Sequence, residues 1–94
     1  ILLDIDHSPC RLLHPAHARF YTAEGLARMK SWMTPGGVFA LWSDDAPDGP
    51  FIELLGRVFT NPVAQVVPFA NPLTGDSSTC TIYVAGGPPC GEVR

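Results

Sequence analysis

The chain has 94 residues, 46% of them hydrophobic and 16% charged, with a formal net charge of −3. That balance excludes intrinsic disorder, which needs low hydrophobicity and high charge, and it leaves no basic surface to neutralise a phosphate backbone, so nucleic acid is not an expected partner. The length allows one small domain at most, and no apolar run approaches the roughly 20 residues of a membrane-spanning helix. Ile1–Ile5 is apolar except for Asp4, which fits a strand covered on both faces as in a parallel sheet. A polar stretch with two prolines, Asp6 through Pro15, reads as a loop. Thr22 is placed to cap a helix over Ala23–Met33. Leu26, Met29, Trp32 and Met33 recur at three- and four-residue spacing, so that helix has one apolar face, with Trp32 expected in the core. Thr34-Pro35-Gly36-Gly37 stops it.

Val38–Trp42 is a second continuous apolar strand, and Ser43-Asp44-Asp45 closes it. Pro47 through Pro50 make a turn into another helix, with Pro50 suited to the first helical position. Phe51, Leu54, Leu55 and Val58 give this helix its apolar face, and Asn61-Pro62 ends it. Ala64–Phe69 and Thr79–Ala85 are rich in β-branched and aromatic residues. Ala70–Ser78 reads as the hairpin loop between them, so these two strands are antiparallel. Gly86–Arg94 forms a Gly/Pro-rich, flexible tail. The order is strand, helix, strand, helix, strand, strand: an α/β domain, with the first two strands parallel because a helix crosses between them.

Cys10, Cys80 and Cys90 are odd in number and lack C-x-x-C spacing, which argues against a disulfide framework and for reduced thiols in a cytoplasmic protein. No charged start with an apolar core and cleavage site is visible. The chain opens on Ile1 without Met and carries ten prolines and nine glycines; together these point to a piece of a longer polypeptide.

Three stretches carry a family resemblance: Ile1–Pro9, Leu26–Val38 with its Met-Thr-Pro-Gly-Gly-Val ending, and the closing strand pair. Together they resemble the C-terminal half of the Rossmann-like S-adenosylmethionine-dependent methyltransferase fold, and within it the spermidine synthase (polyamine aminopropyltransferase) group. In that group a strand ending in Asp-x-x-Asp-Pro precedes a Leu/Phe-x-x-x-Phe-Tyr lead-in to a helix. Here Leu13 and Phe20-Tyr21 stand in comparable places, and Phe69–Gly75 stands where the family carries a Tyr-Pro-Ser-Gly-type stretch. The similarity runs from Ile1 to about Ala85. It implies a partial Rossmann-like sheet of β-α-β-α-β-β order over residues 1–85, with the tail at 86–94. It also implies S-adenosylmethionine or its decarboxylated form as cofactor, and aminopropyl or methyl transfer to a small-molecule amine or other nucleophile. The family's glycine-rich cofactor loop has no counterpart, since Gly36-Gly37 precedes a strand rather than following one. The chain alone is therefore expected to be inactive.

Ligands of open α/β sheets bind at the carboxyl ends of strands. Asp4–Pro9 and Ser43–Asp45 are two such ends, and carboxylates there suit a cationic amine. The resemblance makes Asp4 the positioning strand-end residue. The family's catalytic base is the second Asp of its motif. Here Asp6 comes one residue early and His7 holds the matching place, with Ser8 before Pro9. Either Asp6 or His7 takes the role, or no aminopropyl transfer occurs; both can equally be turn caps. Trp42, Asp44 and Asp45 are candidate substrate contacts, with a solvated loop as the alternative for the two carboxylates. His7, Cys10, His14 and His17 are all zinc-ligand types, but their spacing matches no zinc module, and no metal is expected. A different class of function is also open: a non-catalytic association domain that dimerises through the exposed edge of Ile1–Ile5.

Overall fold

Local chemistry sets most element boundaries in the computed structural model, which describes residues 1–70, 73, 75 and 77–87. In chain order these are β1 (Leu2–Leu3), a 3-10 helix (Pro15–Tyr21), α1 (Ala23–Ser31), β2 (Val38–Ser43), α2 (Gly49–Val58), β3 (Thr60–Ala70) and β4 (Ser77–Gly86). Thr22 caps α1, its hydroxyl accepting from the Gly25 amide at 3.0 Å. Asp48 does the same for α2 through the Phe51 amide at 2.9 Å. Both satisfy donors that the first helical turn leaves without partners. Gly36 turns the chain after α1 with φ 81°, a conformation glycine enters without steric cost.

The four strands form one sheet in the order β1-β2-β4-β3. β1 and β2 are parallel, with Leu2 opposite Ala40 and Leu3 opposite Leu41. β4 is antiparallel to β2 on one side and to β3 on the other. β1, β2 and β3 therefore run the same way, and β4 alone is reversed. The adjacency and direction expected of the first two apolar runs are both present, as is the antiparallel closing pair.

Both helices pack on one face of the sheet. Phe39, Leu41, Tyr83 and Ala85 meet Leu26 and Met29 of α1 and Phe51 and Leu55 of α2. Phe39 stacks on Phe59 with ring centroids 4.8 Å apart, and Phe51 meets Tyr83 edge-on at 5.0 Å, both favoured aromatic geometries. No helix among the described residues covers the opposite face, and Leu2, Val38, Trp42 and Val63 are exposed there.

Several expectations need correction. β1 is two residues long rather than five, and only Leu3 is buried, because the chain bends after Asp4 to take Asp6 into a loop. Among the described residues, neither apolar strand is covered on both sides. Trp32 is 68% exposed rather than part of the core; α1 ends at Ser31, and Leu26 and Met29 already fill its buried face. The second half of the expected Asp6–Pro15 loop leads into the 3-10 helix. Asn61 does not end α2: it adopts φ 50° at a register shift inside β3, a bulge position that Asn tolerates better than most side chains. Of the tail, Gly86 ends β4 and the Gly87 amide donates to the Gly37 carbonyl at 2.9 Å. Residues 88–94, Cys90 among them, and residues 71, 72, 74 and 76 of the hairpin loop lie outside the described residues.

Candidate functional site at the strand ends

Because β1 and β2 are parallel, their carboxyl ends lie on one edge of the sheet, and the loops after them touch. The Asp44 amide donates to the His7 carbonyl at 2.6 Å. β4 fastens the second loop from behind. Thr81 donates its hydroxyl to the Asp45 carbonyl at 2.7 Å, and the Tyr83 hydroxyl accepts from the Asp48 amide at 2.9 Å. Thr81 and Tyr83 are buried, so the loop carrying Asp44 and Asp45 rests on a rigid floor.

The candidate residues separate into two groups. Asp6 is internal, its side chain fully removed from solvent. Its carboxylate accepts from the Leu13 amide at 2.6 Å, from His17 Nδ1 at 2.8 Å and from the Tyr21 hydroxyl at 2.6 Å. Burial pushes its pKa up, but the three donors, with the attraction of His17, outweigh that and hold it below its ordinary value. Burial, with the Asp6 carboxylate alongside, raises the Tyr21 phenol. Asp6 is occupied in holding the loop to the 3-10 helix.

The exposed group comprises His7, Trp42, Asp44 and the Arg11–Asp45 pair. His7 Nδ1 lies 3.1 Å from Asp44 Oδ2, with both side chains about half exposed. An ionised carboxylate can only accept, so we assign the proton to Nδ1 and the free lone pair of the neutral ring to Nε2. Trp42 Nε1 donates to the other oxygen of Asp44 at 3.3 Å. Arg11 forks onto Asp45 through Nε at 2.9 Å and Nη2 at 2.6 Å. That fork and the Ser8 hydroxyl hold the Asp45 carboxyl down at about 2. Asp4 is exposed at the end of β1.

The four residues of zinc-ligand type go separate ways. His7 pairs with Asp44, His17 with Asp6, and His14 accepts from the Ala16 amide at 3.0 Å as the cap of the 3-10 helix. Cys10 is exposed and joins none of them, and among the described residues no three His, Cys, Asp or Glu side chains converge. Gly37 of the Pro-Gly-Gly turn is also already bonded within the fold. The Gly37 amide donates to the Thr34 carbonyl and the Gly37 carbonyl accepts from the Gly87 amide, so neither Gly37 backbone group is left to cradle a ligand.

Sequence reasoning passed over Arg11, and it singled out His17 only as a zinc-type ligand and Tyr21 only in a helix lead-in, not as partners of Asp6. A signal for Arg11 exists: it is the only Lys or Arg before Arg19, in a stretch shared with Asp4 and Asp6. No family model matches the chain, and no curated protein or solved structure is significantly similar to it. No helix among the described residues is long and apolar enough to cross a membrane.

Proposed function

We propose that the chain is the acceptor-binding part of a spermidine synthase-like, S-adenosylmethionine-dependent transferase, in which the strand-end cluster receives a small cationic amine. The observation that carries this is the His7–Asp44 contact made where two parallel strands end. Asp44 orients the imidazole and stabilises it when it becomes charged, and Nε2 is left to take the proton from an attacking amine. The Trp42 ring adds a face for the ammonium group before it is deprotonated. Asp45 is already neutralised by Arg11 and contributes shape rather than charge; Asp6 positions the loop. The nucleoside would supply the transferred group from outside this cluster.

The test is a titration followed by NMR of the His7 ring. A diamine such as 1,4-diaminobutane is expected to shift it saturably, with a dissociation constant on the order of millimolar, and Asp44→Asn should abolish the shift. S-adenosylmethionine, its decarboxylated form and methylthioadenosine should give no saturable response. An equal shift from 1,4-butanediol, or unchanged diamine binding by Asp44→Asn, would overturn the assignment.

One observation favours association instead: β1 lies at an edge of the sheet, with Leu2 73% exposed. Only two residues offer ladder bonds there, which weakens the edge as a template. Sedimentation velocity decides, since a strict monomer at high concentration removes edge pairing.

A further inference from the structure

The geometry points to a second binding site, in the groove between the 3-10 helix and α1, for a small planar aromatic anion such as an aryl phosphate or aryl carboxylate. The groove has a volume of about 270 Å³, and Arg19, Phe20, Glu24, Gly25, Arg28 and Trp32 lie along it. It shares no residue with the strand-end cluster, so the two proposals stand or fall separately.

The groove is shaped by a close approach. A Cβ on Gly25 would lie 1.8 Å from the Arg19 carbonyl oxygen; without one, the end of the 3-10 helix settles against the first turn of α1. Thr22 fastens the junction, its hydroxyl donating to the same carbonyl at 2.9 Å. Phe20 is half-buried at this wall.

Two kinds of recognition group are unspent here. Trp32 is 68% exposed although the core under α1 is complete without it. Its indole presents a flat apolar surface of the sort that stacks on an aromatic ring. Arg28 lies in the last turn of α1, four residues before Trp32 at its C-cap, and both line the groove. The ion pairs among the described residues are those of His7, Arg11 and His17, so neither Arg19 nor Arg28 forms one with a described residue. Arg19 donates Nε to the Ala16 carbonyl at 3.3 Å, which steadies the side chain and leaves its terminal nitrogens available. Guanidinium groups match phosphate and carboxylate oxygens bidentately. Glu24 opposes them with one negative charge against two positive. The volume sits below the range of about 300–1,000 Å³ typical of drug-sized ligand sites, which selects a single ring with its anionic group over a dinucleotide.

Trp42→Phe leaves Trp32 as the sole indole, whose emission then reports the groove. Phenyl phosphate and benzoate are expected to quench it saturably, with inorganic phosphate and benzyl alcohol each at least about tenfold weaker because one lacks the ring and the other the charge. Arg28→Gln and Arg19→Gln should each weaken phenyl phosphate by about tenfold, the loss of one charge-assisted contact. Glu24→Gln should tighten it, a gain that an unfolded variant could not mimic. Absence of saturable quenching by both anions, equal quenching by benzyl alcohol, or unchanged affinity in an Arg28→Gln protein with intact far-UV circular dichroism would overturn the site.

Discussion

The two faces of the sheet are built from the same kinds of residue and are used differently. On the helix-covered face Phe39, Leu41, Tyr83 and Ala85 are almost wholly buried. On the other, Val38 is 52% and Trp42 37% exposed, one position away along the same strand. A continuous apolar run records what a strand is able to bury on each side, whereas the helices decide which side is buried. β2 therefore carries the pattern of a doubly covered strand while the described residues cover it once.

Neighbouring substitutions test the contrast most strongly. Phe39→Ala empties a position stacked on Phe59 and is expected to cost about 3–5 kcal/mol, the usual range for truncating a buried aromatic. Val38→Thr, on the exposed side, should stay within about 0.5 kcal/mol. Urea unfolding of the two variants gives the comparison directly. A Val38→Thr cost near that of Phe39→Ala would mean that the open face is covered in solution.

The next largest effect concerns how α1 is seated on the covered side. Gly25→Ala gains helix propensity, up to about 1 kcal/mol, but its methyl group would strike the Arg19 backbone. Overpacking against backbone should win, for a net loss of about 2 kcal/mol. Gly49→Ala is the control, since a Cβ there meets nothing within 4 Å and the melting temperature should hold or rise slightly.

Asp6 comes third. Asp6→Asn sets an amide against three donors and should cost about 1–3 kcal/mol, the penalty for leaving buried groups unsatisfied. Because the folded state holds the Asp6 carboxyl below its ordinary value of 3.8, its contribution is present above that pH and is lost as the pH falls through the lower folded value. Acid unfolding of the wild type should therefore steepen below about pH 4 relative to Asp6→Asn.

The fold was largely legible because its signals are local. Thr22 and the Thr34–Gly37 stop marked α1, and Pro50 with the Phe51-Leu54-Leu55-Val58 spacing marked α2. A helix between two apolar runs implied that they are parallel. What escaped was set by tertiary packing. The 3-10 helix has no long apolar period, and it is held by Asp6 and the His14 cap rather than by propensity. Trp32 matched the apolar period of α1, yet Leu26 and Met29 fill the buried face of the helix and the Trp32 ring stays exposed. Among the site residues, the strand-end carboxylates were visible as a group. Their division into one buried acceptor and one exposed pair depends on which loop closes over which, and no single-chain pattern encodes that.

That division gives the smallest effect and the sharpest check on it. Arg11→Gln removes the fork onto Asp45 without emptying any core, and both side chains stay well exposed, so solvent and salt screen the loss. Melting curves of Arg11→Gln and wild type should nearly overlay, in contrast to Asp6→Asn. The Asp45 carboxyl, however, should climb from about 2 towards its ordinary 3.8, readable by NMR titration of its side-chain carbon. The sign is that of Asp6: a depressed folded value means that the contribution fades as the pH falls through it. Added salt should shrink the Asp45 displacement in the wild type and leave that of Asp6 almost unmoved, because screening reaches an exposed pair far more than a buried acceptor. Equal salt sensitivity at the two carboxyls would show that Asp6 is open to solvent, and that the loop after β1 is not closed over it.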